Sequence, residues 1–339
     1  MKILAIESSC DETAAAVVED GTRVLSSVVA SQVAVHHVYG GVVPELASRK
    51  HVEAIVPVVR EAVESAGIHR SELDAVAVTQ GPGLVGALLV GFSYAKAYAW
   101  GLGIPCVGVN HLEGHMSSIF LGDTPPEFPY VALLVSGGHT SLYYVTGPTE
   151  YELMGQTRDD AVGEAYDKVS KMLGLGYPGG VVIDGLARKG DPKAIAFPRP
   201  YLDKKAFDFS FSGLKSAVGR HLKDYPDPDE VRLHNIAAGF QESVAEVLCH
   251  KLIYAAKVKS CRHIAVVGGV AANSRVRAMV GDAAARRGLS FHTPELKYCG
   301  DNAAMIGAIG YHRFVEGSAL GLNDDAYSRA RLPSNTKHK

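Results

Sequence analysis

Short apolar blocks separated by polar turns open the chain. Residues 2–7, 13–19 and 23–31 each read as a β-strand, divided by the polar stretch at 8–12 and by Asp20-Gly21, a strong hairpin signal. The same grammar returns at 130–135, 139–146 and 151–157, with turns at Ser136-Gly137-Gly138 and Gly147-Pro148. In each half a further strand runs into a glycine turn and then a helix: 75–79 into Gly81-Pro82-Gly83, and 264–267 into Gly268-Gly269. The second half therefore repeats the first with about 60 extra residues, placed within 184–242. Helical spacing fits 52–66, 84–100, 159–173, 235–256, 274–287 and 302–315, with Asn273 and Asp301 as N-cap types. This pattern predicts two α/β lobes with mixed sheets facing a cleft. The N-terminal lobe is 1–129, the C-terminal lobe 130–325 with an inserted helical subdomain about 184–242, and 326–339 is a basic tail.

Composition narrows the class. A chain of 339 residues with 47% hydrophobic and 21% charged residues is a folded, enzyme-sized protein rather than a disordered one. Its 34 Lys+Arg against 36 Asp+Glu give no global basic field that would advertise nucleic acid. The five cysteines are scattered and form no C-x-x-C pair, which argues against a disulfide framework and a cysteine-rich zinc site. The longest apolar runs, around 84–92 and 131–135, fall far short of the roughly 20 residues of a membrane helix. The N-terminus does not read as a signal peptide, so the expectation is a cytoplasmic protein with no membrane contact.

His111 and His115 lie four apart, so on a helix both imidazoles share one face and can chelate one cation. Spacing alone leaves chance surface histidines as an equal reading. Neutral imidazoles suit zinc or ferrous iron better than magnesium, and Asp301 is the best candidate for a further ligand. Glu113 is not adjacent to His111, so the His-Glu-x-x-His geometry of zinc proteases is not reproduced. Ser136-Gly137-Gly138-His139-Thr140 joins two strands in a turn suited to phosphate, with side chains of Ser136, His139 and Thr140 as donors. Gly268 to Asn273 opens a helix and admits an adenosine, with Asn273 bonding base or ribose. Asp160, Glu164 and Asp167 share a helix face; a solvated face partnered by Lys168 and Lys171 is the ordinary reading. Gly179-Gly180 with Asp184 suits ribose hydroxyls, and Asp11 and Glu12 sit in the first interstrand turn, where acids cap turns or orient a reacting group.

Taken together, Ile6-Glu7-Ser8-Ser9-Cys10-Asp11-Glu12-Thr13, Gly40-Gly41-Val42-Val43-Pro44-Glu45, His111-Leu112-Glu113-Gly114-His115, Val135-Ser136-Gly137-Gly138-His139-Thr140, Phe209-Ser210-Phe211-Ser212-Gly213-Leu214-Lys215 and Gly268-Gly269-Val270-Ala271-Ala272-Asn273 resemble the bacterial TsaD (Gcp/YgjD) family of tRNA threonylcarbamoyladenosine transferases. The likeness runs from Ile3 to about Arg313. It implies the two-lobed actin, heat-shock chaperone and sugar-kinase fold, a duplicated ribonuclease-H-like architecture. It implies transfer of a threonylcarbamoyl group from threonylcarbamoyl-AMP to the N6 amine of adenosine 37 in tRNAs reading codons that begin with adenine. By motif, the metal ligands are His111, His115 and Asp301, holding one divalent ion, Fe(2+) ahead of Zn(2+). The donor contacts are Leu134, Val135, Ser136, Gly137, Gly138, Asp167, Gly180, Asp184 and Asn273, and the catalytic groups are Asp11, Glu12 and His139. Archaeal relatives carry a metal-ligating Tyr where this chain has Leu134, so water or substrate must complete the coordination. The implied partners are tRNA, a TsaB-like paralogue and a TsaE-like ATPase, with the donor made by a separate synthase and ATP use by the complex left open. Local basic residues for tRNA are Lys193, Arg199, Lys204, Lys205, Arg286, Arg287 and the tail. Two other classes use the same fold: a magnesium-dependent small-molecule kinase, which has no need of paired histidines, and a non-catalytic scaffold.

Overall fold

The computed structural model describes residues 1–329 apart from Leu202 and Lys204; that lysine and the expected tail beyond 329 lie outside the described residues. The chain divides into two compact units, the first formed by Met1–Pro125, Gly147–Glu150 and residues 294–329, the second by Pro126–Thr146 and 151–293. In chain order the first unit carries β1 (Lys2–Glu7), β2 (Glu12–Glu19), β3 (Arg23–Ser31), α1 (Val33–His37), α2 (Pro44–Ser65), β4 (Ala75–Gly81), α3 (Val85–Leu102), β5 (Cys106–Asn110) and α4 (His111–Ser117). The second carries β6 (Tyr130–Val135), β7 (Thr140–Gly147), β8 (Glu150–Gln156), α5 (Val162–Met172), α6 (Gly179–Ala187), α7 (Ser212–Asp224), α8 (Glu230–Lys259), β9 (His263–Val267), α9 (Ser274–Ala285) and β10 (Ser290–His292). The chain then returns to the first unit with α10 (Ala303–Val315).

The repeat read from the sequence is present as topology. The first sheet runs β3-β2-β1-β4-β5 and the second β8-β7-β6-β9-β10, the same order with equivalent strands. In each, the first strand pairs antiparallel with the second and parallel with the fourth. The β2–β3 hairpin turns through Asp20 and Gly21 at φ 51° and 71°, the positive values that Asp-Gly admits cheaply. Between β8 and β9 stand α5, α6, α7 and α8, where the first unit has α1 and α2 between β3 and β4. The second unit thus has two more helices at this place than the first, and α7 lies wholly inside the 184–242 window.

Strand β1 is apolar from Ile3 to Ile6 because both of its faces are covered. Ile3 and Ala5 pack with Met305, Ile306 and Ile309 of α10, while Leu4 and Ile6 pack with Ile55 and Val59 of α2 and Phe92 of α3. That packing corrects the expected lobe boundary: residues 294–325 join the first unit, because α10 buries Ala303 to Gly310 on this sheet. It also corrects the expected tail at 326, since Ala326 packs on the first unit's core and the Tyr327 N–H donates to the Gln80 carbonyl at 3.0 Å. Helix α2 starts at Pro44 rather than 52; proline suits the first helical position, where its missing N–H costs nothing. All five cysteines are free thiols. Among the described residues no helix is long and apolar enough to cross a membrane.

Candidate functional site

Helix α4 starts directly where β5 ends. The Asn110 side-chain oxygen accepts the Leu112 N–H at 2.9 Å and caps it, so the helix begins at His111 and the i, i+4 spacing brings the two imidazoles together. Their ring centroids lie 4.7 Å apart, edge to face. Asp301, in the loop before α10, brings Oδ1 to 3.2 Å from His115 Nε2 and 3.5 Å from His111 Nε2. The expected cap role of Asp301 falls instead to Asn302, whose side chain accepts the Met305 N–H, which frees the carboxylate to face the histidines. One atom of each of the three residues lies within 4.8 Å of the others.

The histidine orientation has a partner that the sequence reading missed. Glu7, at the end of β1 and fully buried, places Oε2 at 3.0 Å from His111 Nδ1 and accepts the Thr79 hydroxyl and the Ser9 N–H. A carboxylate there holds the Nδ1 proton and turns Nε2 toward Asp301, the arrangement that orients a ligating histidine. Burial pushes the Glu7 carboxyl up, but the His111 charge and hydrogen bond outweigh it and hold the group below its ordinary value. Burial likewise pulls His111 down, yet Glu7 and Asp301 together raise it to about 9. The cluster therefore favours one positive charge. His115 is fully buried, and among the described residues neither of its ring nitrogens makes a hydrogen bond, although Nε2 faces Asp301. An orphaned buried imidazole beside a carboxylate fits a cation, and a two-histidine, one-carboxylate set suits Fe(2+) or Zn(2+). Buried Glu113 on the same helix is held by Arg313 of α10, which ties α4 to the segment that supplies Asp301.

The turn between β1 and β2 is fastened by a histidine. His51 of α2 donates from Nε2 to the Cys10 carbonyl at 3.0 Å and accepts the Thr13 hydroxyl on Nδ1 at 2.8 Å. Asp11 is buried, and its carbonyl accepts the Gln32 N–H. Glu12 accepts the Ser31 hydroxyl on Oε1 at 2.8 Å, while Oε2 is buried without a hydrogen bond among the described residues. Burial raises this carboxyl to about 7.

In the second unit, Leu134 and Val135 are fully buried members of β6, so Leu134 offers its unit's core a side chain with no ligating atom. The turn that follows closes on itself: the Ser136 N–H donates to the His139 carbonyl at 2.8 Å and the His139 N–H to Ser136 Oγ at 3.2 Å. The Ser136 N–H is thereby engaged, and the exposed Gly137 and Gly138 form the open part of the turn, with His139 half-buried beside them. The α5 N-terminus lies against it, and a Cβ on Gly163 would stand 2.6 Å from the Ser136 carbonyl oxygen. Asp167 Oδ1 accepts the Gly179 N–H at 2.8 Å, and the space over Gly180 is open. Asp184 and Asn273 belong to one buried network. Asp184 Oδ1 accepts from the Ser274 hydroxyl and Gln241, Asp184 Oδ2 from Arg188, and Asn273 donates to Gln241 while its oxygen caps α9 through Arg275 and Val276. Asp160 pairs with Lys168 and Lys215, and Glu164 with Lys168, so the acidic helix face is largely the ordinary ion-paired one.

Two distant solved structures share this architecture. Component A of (R)-2-hydroxyglutaryl-CoA dehydratase from Acidaminococcus fermentans aligns over 93% of this chain and 97% of its own, at TM-score 0.54 and 17% identity. Full-length HypF in its phosphate- and nucleotide-bound form aligns over 96% of this chain and 47% of its own, at TM-score 0.60 and 11% identity. The fold is that of the actin-like ATPases and kinases. The family model for TsaD, tRNA N6-adenosine threonylcarbamoyltransferase, matches residues 23–308. Proteins of that name from Desulforapulum autotrophicum and Geobacter sp. (strain M21) are 58% and 53% identical, covering 98% and 96% of this chain and 100% and 95% of their own. The chain belongs to the TsaD family. It is a tRNA-processing transferase with tRNA N6-adenosine threonylcarbamoyltransferase activity.

Proposed function

We propose that the enzyme takes its threonylcarbamoyl group from threonylcarbamoyl-AMP and delivers it to N6 of adenosine 37 in tRNAs that read codons beginning with adenine. The observation that supports metal dependence is the His111–His115–Asp301 set, its two histidines buried and the His115 ring without a hydrogen bond among the described residues. These residues would hold one divalent ion, Fe(2+) ahead of Zn(2+), which when bound supplies Lewis acidity toward an oxygen of the donor. The donor is already activated, so no nucleophilic side chain is required. The amine nitrogen forms the new C–N bond, the carbamoyl–phosphate C–O bond breaks, and AMP leaves. Glu12 takes the amine proton on Oε2: among the described residues the atom has no hydrogen bond, and a carboxyl near 7 both accepts and releases a proton at neutral pH. Asp11 lies beside it in a turn that His51 holds still. In the second unit, the Gly137-Gly138 turn is assigned to the donor phosphate, and the Gly179-Gly180 turn with Asp167 to its ribose. Asp184 and Asn273 act by shaping that region, since hydrogen bonds within the protein already engage them. His139 orders the turn through its backbone. A TsaB-like paralogue, a TsaE-like ATPase and a donor-making synthase complete the cytoplasmic pathway in this reading.

The test is mass spectrometry of nucleosides from tRNA of cells depleted of this protein, rescued with wild type or with His111→Ala. We expect threonylcarbamoyladenosine to disappear and to return only with wild type. Full rescue by His111→Ala with unchanged iron and zinc content in the purified protein would overturn the metal assignment.

A further inference from the structure

Residues 318–328 form no helix or strand, the kind of segment that usually hangs loosely on a surface. Here it is fastened along its length. The Leu320 N–H donates to the Cys106 carbonyl at 2.7 Å, and Lys96 of α3 reaches the Leu322 and Asp324 carbonyls at 2.9 and 2.8 Å. Gln80 donates from its side chain to the Asp325 carbonyl at 2.8 Å and accepts the Tyr327 N–H on its own carbonyl at 3.0 Å. The Gly83 N–H then donates to the Ser328 carbonyl at 3.3 Å.

Two glycines cut the seat for this segment. A Cβ at Gly81 would stand 2.0 Å from the Tyr327 carbonyl oxygen and 2.5 Å from its ring, and one at Gly108 would stand 2.9 Å from Leu320 Cδ2. The far end of the seat meets the supports of the metal-ligand helix. The Tyr327 hydroxyl lies 3.5 Å from Asn110 Nδ2, and the other end of that same amide caps α4. Next to Gly83, the Leu84 N–H donates to the Ser9 carbonyl at 2.8 Å, and Ser9 Oγ sits 3.2 Å from His111 Nδ1.

We propose that residues 318–328 are a strap that positions α4 for metal binding, with Tyr327 as the positioning residue acting through Asn110. The strap limits the motion of the two groups that set where His111 stands, so ligand geometry depends on a segment that touches no ligand. This rests on the metal reading above only for its affinity readout. The experiment uses full-length metal-free protein, comparing wild type with Tyr327→Ala, Tyr327→Phe and Lys96→Met. Amide hydrogen exchange is followed at residues 110–117, and Co(2+) is titrated by its visible absorption. We expect Tyr327→Ala to lose protection at 110–117 and to bind Co(2+) about tenfold more weakly, within the range for groups that support ligating histidines. Tyr327→Phe should fall between it and wild type, and the thermal midpoint should move little. Lys96→Met, which loosens the strap from its other side, should shift both readouts in the same direction and covers the case of a Tyr327→Ala chain that fails to fold. Protection at 110–117 unchanged in a variant whose residues 318–328 exchange freely would overturn the strap. Wild type that takes up no Co(2+) would overturn the metal reading instead, and the exchange data would still decide the strap.

Discussion

Glu7 and Glu12 lie five residues apart in sequence and meet opposite electrostatic fates. Glu7 is enclosed with a histidine that carries positive charge, and its carboxyl is held down. Burial above all, with the Asp11 and Asp301 carboxylates adding to it against the Ser31 hydrogen bond, raises the Glu12 carboxyl to about 7 from an ordinary 4.5. Between those two pH values the folded chain holds a proton that the unfolded chain has released. The stability from that proton is full below the unfolded value and lost as pH rises through the folded one. Glu12→Gln cannot ionise, so we predict a higher thermal midpoint than wild type at pH 8 and little difference at pH 5. A gain no larger at pH 8 than at pH 5 would contradict the assignment. The catalytic readout of the same variant should be a loss of transfer despite the added stability, the usual cost of a buried group kept for chemistry. Glu7 was not singled out as a functional residue in the sequence, where it reads as the polar end of an apolar strand. Its signal was a carboxylate directly continuing the apolar run Ile3–Ile6, all four of which are buried.

At the scale of elements, α4 is seven residues long and too short to stand alone. Its cap and its tie to α10 hold it. Arg313 reaches Glu113, whose side chain is 3% exposed, so the pair locks the helix bearing the histidines to the element following Asp301. Removing the arginine strands a buried carboxylate. Arg313→Met is expected to cost about 3 kcal/mol or more by urea denaturation, and Arg313→Met with Glu113→Gln to recover part of it. Equal losses in the single and double variants would show that the ion pair is not what matters. The helical spacing of His111 and His115 was legible because it is local. The partner at Arg313 was not, because nothing within one turn of either residue marks the contact. The acid Asp301 was found by motif but given a second role as a cap; the structure assigns the cap to Asn302, whose side chain accepts the Met305 N–H, while Asp301 faces the imidazoles.

For the whole molecule, a net charge of -2 sits awkwardly with a polyanionic substrate, so affinity for tRNA must come from local groups or from partners. Arg199 is committed to a two-pronged pair with Glu246 at 2.8 and 2.9 Å, which removes it from the set expected to face nucleic acid. Lys193, Lys205, Arg286 and Arg287 are exposed. Replacing these four with Gln should weaken tRNA binding and flatten the dependence of log affinity on log salt by about 0.9 for each phosphate that is no longer neutralised. A slope equal to that of wild type would assign tRNA binding to other surfaces. By itself the sequence determined the duplicated succession of strands, the glycine turns at 81–83, 137–138 and 268–269, the paired histidines and the family, because strand period, turn chemistry and i, i+4 spacing act over a few residues. Only the tertiary structure decided that α10 belongs with the first sheet, that Glu7 fixes His111 across 104 residues of chain, that Asn273 spends its amide on a cap and a buried network, and that residues 318–328 fasten beside the helix bearing the paired histidines. Those outcomes depend on which distant surfaces exclude water together, and a periodic pattern carries no record of its partner.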